Sequence, residues 1–206
     1  MRDDAAIVGA LDAEGAFPGA WVREAMLAVP RAALAPDVVW RADPATGRHT
    51  AVDRRTDPGG WDEVVLRPAP VVTQVDDGAI DAVGALASSS FSEYRAVASF
   101  LTELDVHPSH PGLEIGTGPG WTAALLAWRL GEENVVSVEI DPALAAGARA
   151  AHARLGLSPT VITGDGTLGA LDASPFDRVH ATAAFTHRVP YAWIEQARPG
   201  AVIVAP

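Results

Sequence analysis

Three carboxylates stand where short apolar runs end: Glu114 in Leu113-Glu114-Ile115, Glu139 closing Val135-Val136-Ser137-Val138, and Asp165 shortly after Thr160-Val161-Ile162. Three alternating glycines, Gly116, Gly118 and Gly120, follow the first of them, and from Trp121 onward the chain has the Ala/Leu content and apolar spacing of a helix. A strand, a glycine turn and a helix make the first half of a nucleotide-binding βαβ unit, whose glycines allow a sharp turn and close approach of a ligand to the backbone. Spacing then selects the ligand. Dinucleotide sites read Gly-x-Gly-x-x-Gly and seat a pyrophosphate on the helix N-terminus, whereas this run is Glu-x-Gly-x-Gly-x-Gly. An acidic side chain at the strand end repels a pyrophosphate but suits a ligand that carries an ammonium and a sulfonium, as S-adenosylmethionine does. Glu139 lies 25 positions past Glu114 (139 − 114). Nucleotide-binding folds place a ribose-binding carboxylate after an interval of ~20 residues.

The elements that must carry these groups alternate along the second half of the chain. After the glycine turn and its helix come the strand ending at Glu139, an alanine-rich helix from Pro142 to Leu155, the strand Thr160-Val161-Ile162 and the turn Gly164-Asp165-Gly166. A fourth strand from Phe176 to Ala184, a short helix over Pro190 to Ala197 and a fifth strand from Ala201 to Ala205 complete the run. Such alternation gives a parallel sheet with helices on both faces, and ligands bind beyond its strand C-termini. Glu114, Glu139 and Asp165 are therefore expected on one rim.

The first 75 residues read as a separate helical and hairpin lobe, with the core over 76–206. Helical pieces fill the first 35 residues, residues 38–60 read as a loop or irregular hairpin, and Val64-Val65-Leu66 and Val71-Val72-Thr73 as short strands. Four serines, Ser88, Ser89, Ser90 and Ser92, precede an amphipathic run through Leu104, and Ser90 or Ser92 is read as its N-cap. Hydroxyls at a helix N-terminus also suit a carboxylate.

Composition narrows the function. A net charge of −11 argues against a non-specific nucleic-acid binder, and no apolar run approaches the ~20 residues that span a bilayer. The absence of cysteine excludes disulfides, thiolate metal sites and a cysteine nucleophile, and fits a reducing cytoplasm. His107 and His110 in Val-His-Pro-Ser-His-Pro lack further ligands, so no metal site is expected. His180 and His187 are candidates to line a substrate site, Trp121 reads as a cofactor-side or core aromatic, and Arg95 and Arg188 are candidate counter-charges for an anionic substrate.

LEIGTGPGWTAALLA, VVSVEID, TVITGDGTLG and PFDRVHATAA resemble, in order and spacing, the protein-L-isoaspartate O-methyltransferases, and VPRAALAP resembles that family's N-terminal region. The resemblance implies an α/β, Rossmann-like class I methyltransferase sheet that here stops after a fifth strand, short of the family's seven. It implies that S-adenosylmethionine is held by the turn of Glu114, Gly116, Thr117, Gly118 and Gly120. Glu139 would take the ribose, and Gly164, Asp165 and Gly166 the adenine. The family's Ser-Gln-Pro becomes Ser92-Glu93-Tyr94. With the serine cluster and VVTQVDDG, that departure resembles an actinobacterial branch found beside ribosomal-peptide gene clusters. Those enzymes methylate an aspartate in a peptide, and the ester closes to an aspartimide that can open to isoaspartate. A carboxylate with a pKa of ~4 is already ionised at neutral pH and needs no general base. Ser92, with Ser90, is then expected to orient the substrate carboxylate. The alternatives are repair of isoaspartyl residues in proteins and a non-catalytic peptide-binding module; an NAD-dependent dehydrogenase is disfavoured by the glycine spacing.

Overall fold

The computed structural model describes residues 3–79, 82–184 and 188–206. Three helices open the chain, α1 (Asp4–Ala13), α2 (Ala20–Ala28) and the single turn α3 (Arg31–Leu34). Next come β1 (Val38–Ala42), β2 (His49–Asp53), α4 (Pro58–Val65), β3 (Val71–Val75), β4 (Val83–Gly84), β5 (Ala87–Phe91) and α5 (Tyr94–Glu103). The remainder alternates as expected: β6 (Gly112–Ile115), α6 (Trp121–Leu130), β7 (Val135–Glu139), α7 (Pro142–Arg154), β8 (Thr160–Thr163), β9 (Phe176–Ala181), α8 (Tyr191–Glu195) and β10 (Ala197–Val204).

Those last five strands form a parallel sheet in the order β10-β9-β6-β7-β8, with its reversal of strand order between β6 and β9. Strands β6 and β7 are buried along their whole length, as central parallel strands covered on both faces must be. Leu113, Ile115, Val136, Val138 and Val179 pack on the side of Trp193 from α8. The alternate positions Glu114, Ser137 and His180 share the opposite face, where Phe100 of α5 meets the His180 ring at 5.8 Å. A second, larger cluster buries α1, α2, α5 and α6 together. No described helix is long and apolar enough to cross a membrane.

The small antiparallel sheet runs β4-β2-β1-β3-β5 and takes strands from both sides of residue 75. Two local expectations are corrected here. Val64 and Val65, read as strand, end α4: Asp57 caps it by accepting from Gly60 N at 2.8 Å, Pro58 opens the first turn, and Trp61, Val64 and Val65 form its buried face. Ser90 and Ser92 do not cap α5. Ser88 to Ser90 lie within β5, paired with β3, and the cap is Glu93, whose carboxylate accepts from Arg95 N at 3.0 Å.

Arg31 ties the N-terminal helices to the segments that follow α4 and precede α5. Its side chain is wholly buried, and its guanidinium donates to the carbonyls of Val65, Arg67 and Ala69 at 2.8–2.9 Å and of Ser92 at 3.2 Å. The Tyr94 ring lies 4.4 Å from its charged centre. Asp4 completes the knot by accepting from Arg31 N, Ala32 N and the Tyr94 hydroxyl.

Candidate functional site

The strand C-termini of the parallel sheet and the edge strand β5 enclose a cavity of 550 Å³, within the range of roughly 300–1,000 Å³ usual for small-molecule sites. Its floor is the glycine turn, one wall is Ser88 to Ser92, and the other is Glu139, Ile140 and Leu144. Asp165, Gly166 and Thr167 close a third side. Among the described residues its charged lining is Glu139 and Asp165 alone.

Close approach dictates the glycines. Gly116 and Gly118 have φ of +95° and +51°, conformations that side chains rarely adopt. A Cβ on Gly116 would sit 2.8 Å from Ala183 Cβ, and one on Gly166 2.5 Å from Ile115 Cγ2. Gly118 instead turns its N–H onto Glu139 Oε2 at 2.7 Å, while Asp141 N donates to Glu139 Oε1 at 3.0 Å. Each oxygen of Glu139 is thus fixed by one backbone donor and keeps a lone pair for a ligand hydroxyl. Asp165 accepts from Thr167 N and Thr167 Oγ1, both on Oδ1, and these bonds hold its carboxyl below the usual range. It is anionic at neutral pH.

Three expected cofactor residues are placed away from the cavity wall. Gly120 serves helix packing: a Cβ there would lie 2.6 Å from His152 Nε2, the atom that bonds Gly120 O at 2.7 Å. Gly164 has open space around it and donates to Glu139 O at 2.8 Å, fastening β8 to the end of β7. Glu114 is the larger correction. Because side chains alternate along β6, it points into the sheet's helical face and is fully buried. Ser137 Oγ donates to its Oε2 at 2.5 Å, and Thr117 Oγ1 lies 2.5 Å from the same hydroxyl, so the carboxyl supports the turn from beneath.

Burial, opposed in part by that Ser137 hydrogen bond and helped by the Glu139 charge, pushes the Glu114 carboxyl up to about 8. A raised folded-state value means that the folded protein holds a proton there between about 4.5 and about 8 that the unfolded chain releases. Stability should therefore fall as pH rises through that window, by up to ~1.4 kcal/mol per pH unit. Glu114→Gln keeps an acceptor for Ser137 without the ionisation. Its melting temperature is expected to decline less than wild type between about pH 5 and about pH 8, and a parallel decline would refute the assignment.

The hydroxyls divide in two. Ser88 Oγ donates to Gln74 Oε1 at 2.9 Å and Ser89 Oγ accepts from Thr73 Oγ1 at 3.2 Å. Ser90 and Ser92 are exposed on the cavity wall with uncommitted hydroxyls. His180 does not line the cavity. It is buried, and its ring is pushed down to about 4, so it is neutral at physiological pH. His187 lies outside the described residues. Arg95 pairs with Glu14 away from the cavity and Arg188 is exposed, whereas Trp121 is a buried core residue that also borders the cavity, its Nε1 donating to Val29 O at 3.0 Å. Among the described residues no cluster of metal-ligating side chains occurs.

Sequence reasoning missed Ile140, Leu144, Thr182 and Trp193 as lining residues. Ile140 carried a usable signal in its position directly after Glu139, and the structure leaves this apolar side chain 72% exposed at the strand end. The others converge only through the tertiary fold.

The family model for protein-L-isoaspartate(D-aspartate) O-methyltransferase matches residues 74–206. A protein-L-isoaspartate O-methyltransferase from Ignicoccus hospitalis is 30% identical over 198 residues, covering 95% of this chain and 77% of that protein. Others of the same name, from Anaeromyxobacter dehalogenans and Methanococcus maripaludis, are 47% identical over 113 residues and 37% identical over 119. The aligned regions span 53% and 56% of those two relatives, so the chain matches little more than half their length. Two solved structures share the fold. One, a protein-L-isoaspartate O-methyltransferase, has a TM-score of 0.74 at 23% identity and covers all of this chain and 55% of its own. The other, a Plasmodium falciparum protein described as a putative member and solved with S-adenosyl-L-homocysteine, has a TM-score of 0.72 at 15% identity over all of this chain and 84% of its own.

Proposed function

The chain belongs to the protein-L-isoaspartate O-methyltransferase family, and from that premise we propose that it transfers a methyl group from S-adenosylmethionine to an isoaspartyl carboxylate in a peptide or protein. The observation that carries this reading is the cavity itself, which is lined by a Glu139 locked to the glycine turn and by two serines, Ser90 and Ser92, whose hydroxyls are uncommitted. The residues suit the donor: the turn leaves no room for a Cβ at Gly116, Glu139 can take two hydroxyls, and the two anionic side chains attract a cation. The donor supplies an electrophilic methyl on a sulfonium.

What the chain adds is placement. Its side chains have no proton to remove, because the nucleophile is already ionised at neutral pH. Ser90 and Ser92 donate hydrogen bonds that aim the substrate carboxylate along the line of attack. With no basic side chain in the described lining, these hydroxyls have to do the aiming themselves. Hydrogen bonds to a charged group are worth about 1.5–3 kcal/mol, so Ser92→Ala is expected to slow methyl transfer roughly tenfold or more. Binding of S-adenosylhomocysteine should stay intact. An unchanged rate would remove Ser92 from this role.

The second reading makes the substrate an unmodified aspartyl side chain in a ribosomally made peptide, whose ester then closes to an aspartimide. What favours it is the local departure at Glu93-Tyr94, where Glu93 caps α5 and Tyr94 packs on Arg31. Incubation with labelled methyl donor and matched isoaspartyl and aspartyl peptides decides between the two. Label on the isoaspartyl peptide alone, as ester or as methanol released from it, supports the first reading. Label on the aspartyl peptide as its ester, or as methanol released while that peptide becomes lighter by one water, supports the second. No label on either peptide or in methanol, with S-adenosylhomocysteine still bound, points to a binding module.

A further inference from the structure

A chain of hydrogen bonds links the serine strand to Glu139 and the glycine turn. Gln74 of β3 uses both ends of its amide: Nε2 donates to Asp141 Oδ2 at 2.7 Å, and Oε1 accepts from Ser88 Oγ at 2.9 Å. Asp141 caps α7 through its other oxygen, which accepts from Ala143 N at 2.7 Å and Leu144 N at 3.2 Å. Its own N–H reaches Glu139, and Glu139 reaches Gly118. A Cβ built on Gly118 would lie 3.4 Å from Ser89 Oγ, so the glycine turn comes back against the serine strand. The hydrogen bonds leave β5 at Ser88, cross to the parallel sheet at Asp141 and reach Gly118 through Glu139, and Gly118 packs against Ser89 of β5.

The small-sheet end of this path is built on an unusual turn. Asp76, Asp77 and Gly78 have φ of 46°, 52° and 78°, three successive left-handed residues of which two carry side chains. Such backbone persists only where its surroundings hold it. Here the Asp76 carboxylate accepts from Ala85 N at 2.8 Å and Leu86 N at 2.9 Å, and Asp77 N donates to Ser88 Oγ at 3.0 Å. A Cβ on Gly78 would lie 3.2 Å from Gln74 Nε2. The turn packs directly beneath Gln74 and sets Ser88 beside it. The Gln74 bond is also the largest influence holding the Asp141 carboxyl below its usual range, as expected of a charge-assisted contact.

We propose that Gln74 is a positioning residue: its bond to Asp141 clasps the serine strand to the half of the site that holds Glu139, so that filling the Glu139 side fixes where Ser90 and Ser92 present the substrate carboxylate. The proposal rests on the reading of the cavity given above and names a residue that touches neither ligand. Its action is on the relative placement of two walls, and its loss should appear in kcat far more than in cofactor affinity.

The test exchanges the two partners. Gln74→Glu sets two carboxylates face to face and opens the clasp. Adding Asp141→Asn restores a bond of reversed polarity, because the Asn amide donates to the new Glu while its carbonyl oxygen still caps α7. Amide exchange of residues 87–91 is measured with and without saturating S-adenosylhomocysteine, alongside kcat for methyl transfer. Wild type should show slower exchange in β5 when the ligand is bound. Gln74→Glu should lose that slowing and about tenfold in kcat while ligand affinity changes roughly threefold or less, and the double variant should regain both, as a coupled pair does. Ligand uptake with β5 exchange indifferent to Gln74, or no recovery in the double variant, would overturn the clasp alone. Failure of wild type to take up the ligand would overturn the reading of the cavity, and the clasp with it.

Discussion

Glu139→Ala is expected to weaken binding of S-adenosylhomocysteine by two orders of magnitude or more, with the fold intact. The carboxylate is aimed by two backbone donors, Gly118 N and Asp141 N, and presents both oxygens to the cavity. Two charge-assisted bonds to ribose hydroxyls at about 1.5 kcal/mol or more each amount to at least ~3 kcal/mol, or roughly a hundredfold in Kd. Glu139→Gln is the informative companion. It keeps the shape, but one amide end would bring its hydrogens against the N–H of either Gly118 or Asp141. The loss should therefore be large for this variant too. Calorimetry with S-adenosylhomocysteine measures it, and an affinity within threefold of wild type for both variants would exclude ribose recognition by Glu139.

Arg31→Met is expected to produce the largest loss of stability of any single substitution considered. The guanidinium is wholly buried and satisfies four backbone carbonyls contributed by the last residue of α4, the segment after it and the link between β5 and α5. Methionine fills much of the volume but leaves those carbonyls without donors, and removing one partner from a buried charged network costs about 3–5 kcal/mol. For a chain of this size that corresponds to a fall in melting temperature of roughly 10 °C. Lysine should rescue only in part, since an ammonium has three donors and no planar fork. A thermal melt that shifts by less than about 2 °C for Arg31→Met would contradict this role, given the ~2–4 °C per kcal/mol expected at this length.

Much of the parallel half was legible from the sequence because its signals are local. Apolar runs capped by Glu139 and Asp165, alternating with helical spacing, dictate a sheet whose strand ends converge, and the structure brings those two carboxylates to one cavity. Glu114 shows where that reasoning stops. Its spacing from the glycines is that of a ligand-facing acid, but side-chain alternation within β6 turns it into the protein, and only the neighbours Ser137 and His180 reveal which face it shares. The serines misled for a related reason. A run of hydroxyls ahead of an amphipathic helix reads as a cap, while pairing with β3, a contact between segments 16 residues apart at Thr73 and Ser89, makes it an edge strand. Val64-Val65-Leu66 has strand composition, and tertiary packing against the small sheet overrides it. Arg31 left no local signal, because four carbonyls from distant segments define its place.

The most direct test of the central claim is a crystal structure of the protein with S-adenosylhomocysteine. The ribose hydroxyls should sit on Glu139, the adenine against Asp165 and Gly166, and the sulfur should face Ser90 and Ser92. A product molecule bound elsewhere, or bound in the cavity with its sulfur turned away from those serines, would contradict the account.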